Sequence, residues 1–253
     1  MPIIAIATVL VPQAAVTLMF QPKVGTSYKQ ATSMQQTGQM GNSGMSMTTN
    51  TKVLSFEKGF YKLENTPSNV KMTGAMSSGN AGKTMEKPSI MYMDQHFKPK
   101  LEGNGSAGMA QMMSGMNNAY AGITFPSKPI KIGETWTNSI DMGQAMGAAA
   151  KAAPGMKSTG KMNMTYKLLK VEGNSVLIGL NISGTVNMSM AGAQGQSGGA
   201  SGFKMSMTFS GSGTSSIEKN TGIPIGSNTK MTIKSNFGGK DMTMTQVMTS
   251  KRA

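Results

Sequence analysis

The only histidine of the chain, His96, follows two methionines in the run Met91-Tyr-Met93-Asp94-Gln-His96. Residues at i and i+2 share one face of a strand, and thioether plus imidazole is a donor set for a soft ion such as Cu(I). A metal site of Met91, Met93 and His96 is therefore one reading of this run. The same spacing recurs in Met45-Ser-Met47, Met162-Asn-Met164, Met188-Ser-Met190, Met205-Ser-Met207 and Met242-Thr-Met244. With 28 methionines and scarce leucine, the chain uses methionine where others use aliphatics. Met162-x-Met164-x-Tyr166-x-Leu168 and Met205-x-Met207-x-Phe209 continue the alternation into ordinary core residues, so a second reading is a methionine-filled core. In a third reading the flexible, polarizable thioethers line a site for an apolar or lipid ligand. The lining residues it implies are Met109, Met112, Met113, Met116, Tyr120, Trp136, Met162, Met164, Met205 and Met207.

Two motifs imitate catalytic signatures without their context. Gly103-x-Gly105-x-x-Gly108 has the spacing of a dinucleotide-binding turn, but no hydrophobic strand precedes it and no βαβ pattern follows. Gly195-x-Ser197-x-Gly199 has the spacing of a nucleophile elbow but falls in a Gly/Ser/Gln-rich stretch, not between strand and helix. The 10 acidic residues are dispersed, and there is no cysteine for a nucleophile, a disulfide or a thiolate site. Neither enzymatic activity nor a cofactor is expected.

The elements that would position the methionines are mainly strands. Alternation predicts strands over Val16–Phe20, Tyr28–Met40, Met45–Phe56, Phe60–Leu63, Val70–Met72, Ile90–Met93 and Glu134–Met142. Longer strands follow over Lys161–Val171, Ser175–Met190, Phe203–Lys219, Ile223–Phe237 and Asp241–Lys251, with a hairpin at Glu172-Gly-Asn174. Between the two groups, Met109, Met112, Met113, Met116 and Tyr120 fall at helical spacing. This predicts one amphipathic helix over 106–121, with Ser106 as N-cap and Gly122 as stop. The expected fold class is mainly β: a strongly curved antiparallel sheet, half-barrel or open barrel, with that helix packed on it and Trp136 buried near the helix exit. Lys23-Val-Gly-Thr-Ser-Tyr28 is similar to Lys131-Ile-Gly-Glu-Thr-Trp136, which suggests two related halves, 16–104 and 123–253, within one domain over 16–253.

The charge balance is 24 basic against 10 acidic residues, net +14, with lysines placed singly and never in a block. Such a surface suits solvated strands guarded against edge pairing, and an anionic membrane surface is a possible partner. Nucleic acid is not expected, because no recognition helix or aromatic platform accompanies the charge. The apolar run Pro2–Val11 is too short to span a bilayer and has the length of a signal-peptide core, although no basic residue precedes it. Export to the periplasm or cell envelope is the expectation, residues 1–15 being a leader remnant; a first hydrophobic strand is the competing reading.

Phe125-Pro-Ser-Lys-Pro-Ile-Lys-Ile-Gly-Glu-Thr-Trp136, Tyr166-Lys-Leu-Leu-Lys-Val-Glu-Gly-Asn-Ser-Val-Leu177 and Gly211-Ser-Gly213 with Asn220-Thr-Gly222 resemble a group of exported bacterial proteins of unknown function. There a Pro-x-Lys-Pro-Val-x-Val-Gly-Asp-x-Trp segment precedes a β-meander. The layout is also similar to the lipoprotein-carrier (LolA/LppX-like) fold, which implies a carrier of lipid or another apolar ligand and transfers no catalytic residues. Many members of the exported group are lipoproteins, whereas this chain has no cysteine to carry the lipid.

Overall fold

The computed structural model describes residues 14–39, 41–74, 86–100, 123–141, 156–190, 203–237 and 239–253. They form ten antiparallel strands: β1 (Ser27–Gly38), β2 (Ser43–Glu57), β3 (Phe60–Thr73), β4 (Ser89–Asp94), β5 (Thr135–Asp141), β6 (Met156–Glu172), β7 (Ser175–Met190), β8 (Phe203–Glu218), β9 (Pro224–Phe237) and β10 (Lys240–Arg252). All belong to one sheet in the order β4-β3-β2-β1-β10-β9-β8-β7-β6-β5. Every neighbour is a hairpin partner except β1 and β10, which join the first and last strands from Gln30↔Arg252 to Gly38↔Met244. The sheet stays open, with β4 and β5 as its edges.

Alternation along the strands sorts the two faces. On β6, Lys157, Lys161, Asn163 and Lys167 are exposed while Met162, Met164, Tyr166 and Leu168 are buried; β9 likewise exposes Asn228, Lys230, Lys234 and Asn236. One face is thus a solvated lawn of Lys, Asn, Thr and Ser, and the other carries the apolar side chains.

At one end of the sheet, where the β2–β3, β6–β7 and β8–β9 turns lie, the apolar face is covered by two extended segments. Val16 and Ile130 exchange backbone hydrogen bonds at 2.8 and 2.9 Å, Phe20 N donates to Gln95 O at 2.8 Å, and Phe125 N donates to His96 O at 2.8 Å. These bonds tie residues 14–21 and 123–130 to each other and to the turn after β4. Leu18, Phe20, Ile123 and Phe125 are buried against Val53, Leu63, Leu168, Val176 and Ile178 in the main core. Phe20 meets Tyr61 and Phe97 edge-on, with ring centroids 5.2 and 4.8 Å apart.

The sheet and its antiparallel order follow the sequence reading, with two differences. Val16–Phe20 is not a sheet strand; only Val16 makes a bridge. The expected break at Asn65-Thr-Pro-Ser68 is absent, and β3 runs through it. The reason is β4, which pairs with β3 only between Phe60 and Asn65. Pro67 therefore sits on an outer edge, where its missing N–H removes no bond to a further strand. The helix expected over 106–121 lies outside the described residues, as do the stretches 142–155 and 191–202.

Candidate functional site

Every strand methionine whose side chain is described lies on the same, inward face of the sheet. The register converts scattered sequence positions into rows. One row runs Trp136–Tyr166–Leu180–Gly213–Thr229–Met248–Met34–Met45–Met72, each residue directly opposite the next on the neighbouring strand. Four methionines on four adjacent strands thus stand side by side. Met34, Met45 and Met248 are buried together, with Met47 and Met72 packed against them. The Gln246 side-chain amide donates to the Met34 sulfur, and Gln36 does the same for Met244.

The composition of this face changes along the strands. The turn end is filled mainly by Leu, Ile, Val and aromatic side chains, with Met91, Met93, Met162 and Met164 among them. The other end carries methionine-rich clusters: the one just described, and Val186, Phe209 and Met231 with half-buried Met188 and Met207.

The residues singled out from the sequence fall in different places. Met162 and Met164 belong to the main core on β6, and the Tyr166 hydroxyl contacts the Met164 sulfur at 3.4 Å. Met205 and Met207 lie half-buried near the opposite end of β8. Trp136 is half-buried, stacked on Tyr166 at 5.3 Å, and its Nε1 donates to Thr124 O at 2.5 Å. Met109, Met112, Met113, Met116 and Tyr120 lie outside the described residues. Met91 and Met93 face Leu63 and Tyr61 inside the aliphatic core. His96 instead lines an open cleft of about 370 Å³ with Lys98, Thr124, Lys128, Trp136 and Asn138, and neither Met91 nor Met93 borders it. His96 Nδ1 is buried there without a hydrogen-bond partner.

That cleft marks the seam between the two sheet edges. Thr124 seals it: its carbonyl takes the Trp136 N–H, and its hydroxyl takes the Asn138 amide at 3.1 Å. A second cleft, of about 590 Å³, opens where β1 meets β10 and is lined by Lys23, Tyr28, Lys29, Asn50, Glu218 and Arg252. Burial pushes the Tyr28 hydroxyl up to about 12, against the opposing pull of its Thr51 hydrogen bond and of Arg252. The Arg252 guanidinium and the Thr221 hydroxyl hold the Glu218 carboxyl below the usual carboxylate range. Arg252 also donates to Pro224 O at 3.0 Å, so its charge is committed to the fold. Among the described residues no three His, Asp or Glu side chains converge on a point that could hold a metal ion.

Residues 106–224 match the model of a family of unknown function, DUF6263. The matched stretch takes in the Phe125–Trp136 segment and β5 to β8, and stops where β9 begins. No curated protein matches the chain.

The methionine row across β3, β2, β1 and β10 was not found from the sequence. Its one local signal is Met45-Ser-Met47, which looks no different from Met91-Tyr-Met93 until the register is known.

Proposed function

We propose that this is a non-enzymatic protein that binds or carries an apolar, lipid-like ligand. Its sheet is curved into a half-barrel, and the ligand lies on the methionine-lined part of the inward face. The observation that carries this reading is the change in that face along the strands. At the turn end branched aliphatics and aromatics predominate, with Met91, Met93, Met162 and Met164 buried among them; beyond it Met47, Met72, Met188, Met205, Met207 and Met244 are only partly buried. Unbranched thioether side chains adapt to varied chain shapes without a fixed packing partner. Close inner approaches at glycine support the curvature. A Cβ at Gly184 would stand 2.4 Å from Lys161 O, and one at Gly213 would stand 2.4 Å from Asn228 O. Glycines at such positions let a sheet bend sharply toward one face.

Export to the cell envelope fits the apolar run at Pro2–Val11, and the lysines of the outward face suit an anionic membrane surface. A second reading, a scaffold whose methionines simply fill the interior, is favoured by the burial of Met34, Met45 and Met248. The two separate in native mass spectrometry of protein purified from its own source, followed by organic extraction. A co-purifying lipid or other apolar molecule supports the carrier. A bare mass, with no uptake of fatty acid or phospholipid on titration, overturns it in favour of the scaffold.

A further inference from the structure

We infer that the methionine row of Met72, Met45, Met34 and Met248 is a binding site for a soft monovalent cation, Cu(I) or its analogue Ag(I). This site is distinct from the seam cleft at His96 and does not depend on the lipid-carrier reading.

The register makes the geometry. Met34 stands directly opposite Met248 on one side and Met45 on the other, and Met45 stands opposite Met72. Directly opposed residues on one face of an antiparallel pair hold their Cβ atoms roughly 4.5–5.5 Å apart. From there two further bonds give the sulfurs of three successive neighbours the reach to meet one ion, since residues on three adjacent strands span only about 10 Å. A register irregularity beside the row adds a fifth thioether. Pairing of β2 with β3 shifts between Ser46 and Thr48, so Met47 has no partner on β3, and Asn69 across from it takes a positive φ of 55°. Bulges re-aim side chains and favour functional positions. Here the bulge lies next to Met45 and Met72, and Met47 packs on the same cluster.

Methionine alone does not mark the row, because Met91, Met93, Met162 and Met164 are buried among Leu, Ile and Val at the turn end. What sets the row apart is that its cluster consists of five thioethers, Met34, Met45, Met248, Met47 and Met72, with no aliphatic among them. The Gln246 amide also lies against the Met34 sulfur. The donor set also selects the ion. Thioethers are soft and neutral, and the five side chains packed together here are all methionines. Hard or divalent cations therefore gain little there, whereas a soft monovalent ion keeps its single charge. The half-buried Met47 and Met72 leave the cluster open on one side to an entering ion.

The test uses the full chain and Ag(I), which mimics Cu(I) without air oxidation. Native mass spectrometry and calorimetry should find one silver ion per chain. The variant Met34→Leu/Met45→Leu/Met248→Leu should lose at least about tenfold in affinity. Met-to-Leu exchanges nearly conserve volume, and circular dichroism checks that the sheet is retained. Met91→Leu/Met93→Leu serves as the control and should bind as the parent does. Where the triple variant does not fold, the single variants Met34→Leu and Met72→Leu replace it. X-ray absorption on the Cu(I)-loaded parent should show a shell of three or four sulfurs. The inference is overturned by the absence of a stoichiometric ion, by affinity unchanged in the row variants, by loss in the control, or by a nitrogen/oxygen shell.

Discussion

The strands β1–β4 and β5–β8 are entered by the same backbone device and then filled differently. Gly25 and Gly133 turn the chain at φ of 89° and 92°. Gly25 N donates to Val53 O at 2.8 Å and Val53 N to Thr26 O at 2.9 Å, while Gly133 N donates to Leu168 O at 2.8 Å and Leu168 N to Glu134 O at 3.1 Å. Each of those partners precedes a register shift, at Val53/Ser55 in one unit and at Leu168/Lys170 in the other. Both units run through the sheet in the same direction, so a shift along the sheet carries one onto the other. One pair further along, the match ends. Tyr28 faces Thr51, which faces Asn65; Trp136 faces Tyr166, which faces Leu180. In the first unit the Thr51 hydroxyl and Asn65 Oδ1 are hydrogen-bonded at 2.7 Å, and Asn65 Nδ2 is buried unpaired. In the second the same places hold an aromatic stack and a leucine. Glycine and hairpin set the backbone in both; the neighbour decides the side chains, since β1 has β10 beside it whereas β5 is an edge strand that, among the described residues, is hydrogen-bonded on its outer side by Thr124.

The shared device is broken most severely at its buried anchor. Leu168 is fully buried, and Leu168→Ala should cost about 2–5 kcal/mol in urea unfolding. Val53→Ala removes less hydrocarbon from the equivalent place and should cost less. Equal and negligible losses at both positions would show that these residues do not anchor the two turns.

The unmatched positions come next in size. Thr51→Val leaves the Asn65 side chain with no partner and should destabilise by about 1–3 kcal/mol. Adding Asn65→Leu, the residue type found at Leu180, removes the stranded amide, and the double variant should recover part of the loss, the Tyr28 hydroxyl still lacking its Thr51 partner. A double variant worse than the single would mean that the polar pair stabilises the first unit, and the comparison with Tyr166–Leu180 would lose its force. The turn glycines follow. No atom lies within 4 Å of a Cβ added at Gly25 or Gly133, so alanine there brings backbone strain alone. Each substitution should cost about 1–2 kcal/mol, and the two should agree. Unequal costs, read from thermal melts, would separate the two turns.

What the sequence made legible was local. Period-two alternation gave β7 its full span, Ser175–Met190, and Glu172-Gly-Asn174 announced the hairpin before it. Register was not legible, because pairing between strands depends on partners far apart in the chain. Met34 and Met248 are direct neighbours across the β1–β10 seam, and nothing near either residue advertises the other. Spacing alone also made Met91 and Met93 look like Met45 and Met47. They differ because β4 is short and lies at the aliphatic end, so its methionines face Leu63 and Tyr61, while Met45 lies among other methionines. His96 could not be placed either, since its surroundings come from Thr124 and Trp136 on the far side of the sheet opening.

The smallest contrast lies where the two units leave their fourth strands. Asp94 ends β4 and accepts the His96 and Lys98 N–H groups at 2.9 and 2.8 Å, a bond set internal to its own turn. Glu218 ends β8 and reaches outward instead, to the Thr221 hydroxyl at 2.7 Å and to Arg252 on β10. Because Arg252 and Thr221 lower its pKa from the ordinary 4.5, Glu218 stabilises the fold above that value. The contribution is lost as pH falls through the lower folded-state value. The pair is partly solvated, with side-chain exposures of 30% for Arg252 and 25% for Glu218, which limits its worth to about 1 kcal/mol. Glu218→Gln should therefore lower the urea midpoint near pH 7 and converge on the parent as pH falls below the lowered folded-state value, where both side chains are neutral. If the variant remained weaker in acid, Glu218 would act through packing and its Thr221 contact, and the electrostatic contrast with Asp94 would fall away.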